Sequence, residues 1–250
     1  MINIESVYFS YKDSMTLQEV NLHVKEGDFL AVIGPNGCGK TTLLRHMNGS
    51  LRPIKGKVEI CGQDIQSYDI KDLARHVATL PQSRRVPEVT VQELVEYGRF
   101  PYLSFPHRLK KDDRQKVEEA LELSHMTEFR DKMVTELSGG ERQRAYIAML
   151  LAQDTPIILM DEPTTYLDPS RQFEMMSLAQ NLNQMGKTIV MVLHDLNLAL
   201  SRCRRIAVMD KGRIVAVGTP SDIIEAGIIR QVFHVDCVEI QRGVYGIKEI

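Results

Sequence analysis

The chain of 250 residues has no Trp and four cysteines, Cys38, Cys61, Cys203 and Cys237. The cysteines are widely scattered and form neither a C-x-x-C pair nor a zinc spacing, so they read as a reduced, cytosolic set. An excess of one charge is also missing. Lys and Arg number 31 against 33 Asp and Glu, a formal net charge of −2, which argues against a nucleic-acid partner. Long hydrophobic runs are absent: the longest, residues 145–152, is far short of the ~20 residues that cross a bilayer. No opening segment joins a basic start to an apolar core, so no secretory signal is expected. There is no internal repeat, low-complexity tract or heptad run. What is present, 43% hydrophobic and 26% charged residues, suits a globular protein with ample chain for a core.

The stretch Gly34-Pro35-Asn36-Gly37-Cys38-Gly39-Lys40-Thr41-Thr42 organises the rest. It fits G-x-x-x-x-G-K-[ST] and has the flanks that give the pattern meaning. An apolar run of strand type, residues 29–33, precedes it. Leu43, Leu44 and Met47 then begin a helical period that Gly49 closes. Strand, glycine loop and helix N-terminus surround one small volume with backbone N–H groups, which suits a di- or triphosphate. Lys40 would reach the β- and γ-phosphates, and the Thr41 hydroxyl would ligate Mg²⁺. In this reading Cys38 contributes its backbone N–H. The plain alternative is a glycine-rich turn between a strand and a helix.

In chain order, residues 2–9 and 20–24 read as strands, followed by the loop and its helix. Residues 57–61 read as a strand, 69–75 as a helix and 76–80 as a strand stopped by Pro81. Residues 87–153 carry helical periods and almost no strand signal, as an inserted helical subdomain would. Within them lies an aromatic, proline-bearing stretch, residues 99–107. Alternation resumes with the continuous apolar strand 157–160. A helix over 169–185, a strand over 188–193, a helix from Asp195, and strands 206–209 and 214–217 follow. A helix start signal stands at Pro220-Ser221-Asp222. The expected domain map is thus a core over about 1–86 and 154–220, a helical subdomain over 87–153, and a tail over 221–250.

Two further segments carry chemistry. Asp161-Glu162 ends the strand 157–160, where open parallel sheets bind ligands. Asp161 would hold Mg²⁺ directly or through its water, and Glu162 would act as general base toward the attacking water. As a plain alternative, the pair caps the strand before Pro163. Ser138-Gly139-Gly140-Glu141 opens a helix. Ser138 and Glu141 are explained by a capping box. Two glycines in a first turn are not, since each costs up to about 1 kcal/mol against Ala. They clear the backbone for an anion at the helix tip. The sequence therefore has two phosphate-ready helix starts.

Residues 34–41, 137–143 and 157–162 with Tyr166-Leu167-Asp168 resemble the Walker A, signature and Walker B/D-loop segments of an ABC-transporter ATPase. The resemblance runs over roughly residues 1–220. It implies an α/β P-loop NTPase fold of the ABC ATPase type: a RecA-like core, an N-terminal antiparallel β portion and an inserted all-α subdomain. It also implies that Gln82 is the Q-loop glutamine, touching Mg²⁺ or water, and that His194 is the switch histidine reaching the γ-phosphate. Tyr11 matches the aromatic on which adenine stacks. Asp168 is expected at a dimer seam, while also fitting an N-cap for the helix starting at Pro169. ATP and Mg²⁺ are the implied cofactors. Two copies would pair head to tail, each ATP held between one copy's Lys40 loop and the other's Ser138–Gly140 helix start.

Residues 161–168 and 98–102 most resemble importers of iron–siderophores, haem and cobalamin. This implies docking, at the cytoplasmic face of the membrane, beneath separate permease subunits served by an extracytoplasmic substrate-binding protein. The aromatic stretch 100–107, near Arg84, Arg85 and Arg108, is a candidate docking groove to which Arg99 is expected to contribute; the plain alternative is an ordinary exposed loop. The alternative function is a cytosolic ABC ATPase of iron–sulfur cluster assembly acting on a soluble scaffold.

Overall fold

A computed structural model describes residues 1–12, 14–80, 86–165, 167–241 and 243–249. In chain order the strands and helices are β1 (Ile2–Tyr11), β2 (Ser14–Val24), β3 (Phe29–Ile33), α1 (Lys40–Met47), β4 (Lys55–Ile60), β5 (Gln63–Asp64), α2 (Ile70–His76) and β6 (Val77–Leu80). Next come α3 (Val91–Tyr97), α4 (Lys111–Leu123), α5 (Gly139–Gln153), β7 (Ile157–Asp161), α6 (Pro169–Gln184), β8 (Thr188–Val192), α7 (Leu196–Arg202) and β9 (Arg205–Asp210). The chain continues through β10 (Arg213–Gly218), α8 (Pro220–Glu225), α9 (Ile228–Phe233), β11 (Val235–Gln241) and β12 (Val244–Glu249). The chain divides into two compact units, residues 1–68 with 159–250, and residues 69–158.

Besides the β11–β12 hairpin, the first unit holds two larger sheets. In one, β2-β1-β4-β5 pair antiparallel, as the alternating residues of the opening segment favour. In the other, β10-β9-β3-β8-β7 lie side by side. There β3 pairs parallel with both β8 and β9, and β3, β7 and β8 are buried along their whole length. Strands covered on both faces read as unbroken apolar runs, which is why 29–33 and 157–160 carry no alternation. The carboxyl ends of β3, β7 and β8 lead into the lysine loop, Asp161-Glu162 and His194 respectively. Placement side by side in one sheet therefore brings three distant stretches of chain together.

The second unit carries α2, β6 and the helices α3 to α5. Helix α5 packs against both α3 and α4. Gly98 makes this close packing possible: a Cβ there would meet the Met149 carbonyl oxygen at 2.2 Å. The tail left open by the sequence forms α8, α9 and an antiparallel hairpin, β11–β12.

Candidate functional site

Residues 34–39 make the turn from β3 into α1. Gly34 lies where a Cβ would be 2.2 Å from the Met209 carbonyl oxygen, so no other residue fits. Gly37 has φ 78° and open space around it, leaving the outer side of the loop clear. Pro35 is half-buried, Asn36 is exposed, and the Cys38 amide donates to the Pro35 carbonyl at 3.3 Å. Burial pushes the Cys38 thiol up, so it stays protonated. Gly39, the N-cap of α1, offers no side chain to the first helical amides. That leaves them for an anion.

The ammonium of Lys40, 5% exposed, donates to the carbonyls of Gly34 at 2.8 Å and Pro35 at 2.9 Å. One buried cation thus sits over the loop. Thr42 is buried next to it and presents its carbonyl to His46 Nδ1 at 2.8 Å.

Thr41 Oγ1 donates to Asp161 Oδ1 at 3.1 Å. Desolvation raises the pKa of Asp161, opposed by the Thr41 hydrogen bond. A buried carboxylate beside a hydroxyl is a pair of hard oxygen donors, which suits Mg²⁺. Among the described residues there is no group of three His, Cys, Asp or Glu able to hold a metal. Two protein oxygens match the habit of Mg²⁺, which takes one or two ligands from protein and the rest from phosphate and water. The donor set fits the ion.

Glu162 has φ 51°, left-handed for a non-glycine residue. Its amide donates to the Val192 carbonyl at 3.2 Å, which ties the turn after β7 to the end of β8. Its Oε1 lies 2.5 Å from His194 Nε2, and its other oxygen accepts from Thr165 Oγ1 at 3.4 Å. The carboxylate is 9% exposed and the imidazole 39%, so the histidine faces outward from a buried acid. Thr165 had no signal in the sequence beyond its nearness to the acid pair.

Tyr11 ends β1 with 43% of its surface exposed, available for stacking. Asp168 caps α6, accepting from the Arg171 amide at 3.1 Å, and its side chain is also 57% exposed. Gln82, Arg84, Arg85 and Tyr166 lie outside the described residues.

In the second unit, Ser138 and Glu141 form the capping box: the Ser138 amide donates to Glu141 Oε2 at 2.8 Å and the Glu141 amide to Ser138 Oγ at 3.4 Å. The Ser138 hydrogen bond holds Glu141 below the usual carboxylate range. Gly139 is exposed, and a Cβ on it would meet nothing within 4 Å. Nothing in the described chain therefore requires glycine at that position.

One expectation is corrected. Arg99, assigned to a docking groove, is 7% exposed. It pairs with Asp113 at 3.0 Å, donates to the Ala152 carbonyl at 2.7 Å and stacks on the Tyr102 ring at 3.9 Å. Tyr102 in turn donates to the Gln153 carbonyl at 2.9 Å. A guanidinium can leave water when a carboxylate and a carbonyl replace it, and sequence spacing does not reveal that Asp113 is so placed. Arg99 is a strut; the exposed large hydrophobic residues of its stretch are Phe100 and Phe105, at 47% and 90%.

A lysine loop on a parallel strand, with an acid pair and a histidine on its neighbours, defines a nucleoside-triphosphatase of the P-loop class. The chain belongs to the ABC transporter family: the description "ABC transporter" matches residues 17–165. It is an ABC ATPase. It is 45% identical over 230 residues to the petrobactin import ATP-binding protein FpuD of Bacillus anthracis, covering 91% of this chain and 84% of that one. Its fold matches a metal-chelate type ABC transporter in an inward-facing conformation, with TM-score 0.83 and 28% identity over 99% of this chain and 95% of the other. It also matches a dimeric bacterial ABC transporter cassette, TM-score 0.78 and 31% identity, covering 88% of this chain and 99% of that one. Among the described residues no helix is long and apolar enough to cross a membrane.

Proposed function

We propose that this chain is the ATP-hydrolysing subunit of an importer for iron–siderophore or a related metal chelate, working as a pair beneath separate permease subunits at the cytoplasmic face of the membrane. The observation that carries this reading is the 45% identity to a petrobactin import ATP-binding protein over nearly the whole chain. The overlap with a metal-chelate type transporter along 99% of this chain supports it. The alternative partner, a soluble scaffold of iron–sulfur assembly, has no such support and is set aside. An extracytoplasmic binding protein would complete the system.

In this mechanism the loop amides, Lys40 and the helix dipole of α1 hold the phosphates of ATP. Thr41 and Asp161 would hold Mg²⁺, with Gln82 the further ligand that the resemblance implies; the ion would supply charge neutralisation at the transferring phosphoryl group. Glu162 orients water and takes its proton, and His194 positions the carboxylate while facing the phosphate side. The Ser138–Gly140 helix tip of a second copy closes over the same nucleotide, and Asp168 lies at that seam. Pairing is supported by the likeness to a dimeric cassette. The exposed Phe100 and Phe105, held by the Arg99 strut, offer the permease an aromatic contact.

The test is uptake of a radiolabelled ferric siderophore by cells whose only copy of the chain carries Lys40→Ala. Uptake lost, with the chain still co-purifying with a many-helix membrane protein, is the expected result. Unimpaired uptake, or a chain that co-purifies with soluble proteins alone, would refute the importer reading.

A further inference from the structure

The base platform and the phosphate loop belong to different sheets of the first unit, yet one helix touches both. Phe9 and Tyr11 lie two residues apart on β1, on the same face of the strand. Their rings meet edge to face, centroids 4.9 Å apart and planes at 87°. The Phe9 ring also meets the imidazole of His46, at 4.8 Å and 75°. His46 is fully buried in α1, and its Nδ1 donates to the carbonyl of Thr42 in the first turn of the same helix, just after the phosphate loop. Burial lowers the pKa of His46, so the ring is neutral at pH 7, and an Nδ1–H facing a carbonyl fixes its orientation. From the adjacent position Arg45 Nη1 donates to Tyr11 Oη at 3.4 Å. Arg45 also acts electrostatically on the Asp161 carboxylate. It stands one helical turn beyond Thr41, on the same face.

We infer that Phe9, His46 and Arg45 are positioning residues that fix the Tyr11 ring relative to the lysine loop, and so set the affinity for the adenine-bearing end of ATP. This rests on the reading that Tyr11 stacks on the base. Two independent ties, an aromatic ladder and a hydrogen bond to the phenol, lead from α1 to one ring. Tyr11 is at the surface, where a free tyrosine ring samples several rotamers. Ordering it in advance removes part of the entropy that nucleotide binding otherwise costs. An aromatic pair contributes enough that its loss corresponds to about a 3- to 10-fold change in binding.

The experiment measures steady-state ATP hydrolysis for the full chain and for Tyr11→Ala, Tyr11→Phe, Phe9→Leu and Arg45→Met, together with competition by inorganic tripolyphosphate, which has no base. Phe9→Leu keeps most of the volume and removes the ring; Arg45→Met keeps the stem and removes the donor. The expected result is a KM for ATP raised about 3- to 10-fold in Phe9→Leu and Arg45→Met, and, in Phe9→Leu, kcat within about 2-fold with tripolyphosphate competition unchanged. Tyr11→Phe should match Arg45→Met, and the double variant should be no worse than either, because both remove one hydrogen bond. If Tyr11→Ala itself leaves KM unchanged, the stacking reading fails. If Tyr11→Ala raises KM while Phe9→Leu and Arg45→Met do not, the stacking stands and the positioning role is overturned. Tripolyphosphate weakened in parallel with ATP in Phe9→Leu would also overturn it, since that variant would then be disturbing the phosphate loop as a whole.

Discussion

Glu162 Oε1 sits 2.5 Å from His194 Nε2, and the acid is held there by a backbone in the left-handed region, φ 51°. That backbone costs a non-glycine residue about 1–2 kcal/mol. It is maintained by the Glu162 amide on the Val192 carbonyl and by Thr165 on the carboxylate. Strain kept by several contacts on an acid at a sheet's carboxyl edge accords with the catalytic role proposed for Glu162. Glu162→Gln should retain ATP binding and lose about 10²- to 10⁴-fold in turnover, the range a general base supplies. Phosphate release at the wild-type rate would remove Glu162 from that role.

Asp161 is buried, and desolvation raises its pKa. A raised carboxylate pKa means that the folded state prefers the protonated form. Ionisation above that pKa therefore opposes folding, and the penalty fades as pH falls through it. In EDTA without nucleotide, Asp161→Asn should be at least as thermally stable as the wild type at pH 7.5, with the gap narrowing toward pH 4. The same variant should lose Mg²⁺-dependent hydrolysis. A lower melting temperature for Asp161→Asn at pH 7.5 would mean that the carboxylate contributes stability rather than metal binding.

Arg99 and its exposed neighbours separate by their effects. Arg99→Ala leaves Asp113 buried without its partner and should cost about 3–5 kcal/mol, read from denaturant unfolding. Phe100→Ala with Phe105→Ala changes only exposed rings. It should leave soluble ATPase activity and stability near wild type while reducing transport in reconstituted vesicles. Unfolding of the double variant with the ease of Arg99→Ala would show that the aromatic stretch is packing, not contact surface.

Gly139 has open space where a Cβ would go. Gly139→Ala should therefore fold as well as the wild type or slightly better, since Ala suits a helix start by up to about 1 kcal/mol. Under the proposed function it should nonetheless fail to form the nucleotide-bound pair, because that reading gives the room to the ATP held by a second copy. Retained pairing, with normal turnover, would mean that the glycine serves no ligand.

The sequence shows what local chemistry alone specifies. The run Phe29-Leu30-Ala31-Val32-Ile33, the glycine loop and Ser138 with Glu141 each declare a strand, a turn and a cap without help from distant residues. It is silent where the partner is remote. Nothing near Arg99 announces that Asp113 and the Ala152 carbonyl will draw it inward. Nothing near Glu162 announces a positive φ, because the restraint comes from Val192 in another strand. The hairpin β11–β12 escaped for a different reason. Its exposed Val238, Ile240 and Val244 blur the inside–outside alternation by which strands are read. Arg45 was legible in principle: it lies four residues after Thr41 on the same helix face.

The most direct measurement is the mass of the Glu162→Gln variant by light scattering, with and without ATP and Mg²⁺, repeated on the Glu162→Gln/Gly139→Ala double variant. A shift from one copy to two on adding ATP, lost in the double variant, is the predicted result. A chain that stays single with ATP bound, or pairs equally well with Gly139 replaced, would contradict the shared grip on the triphosphate.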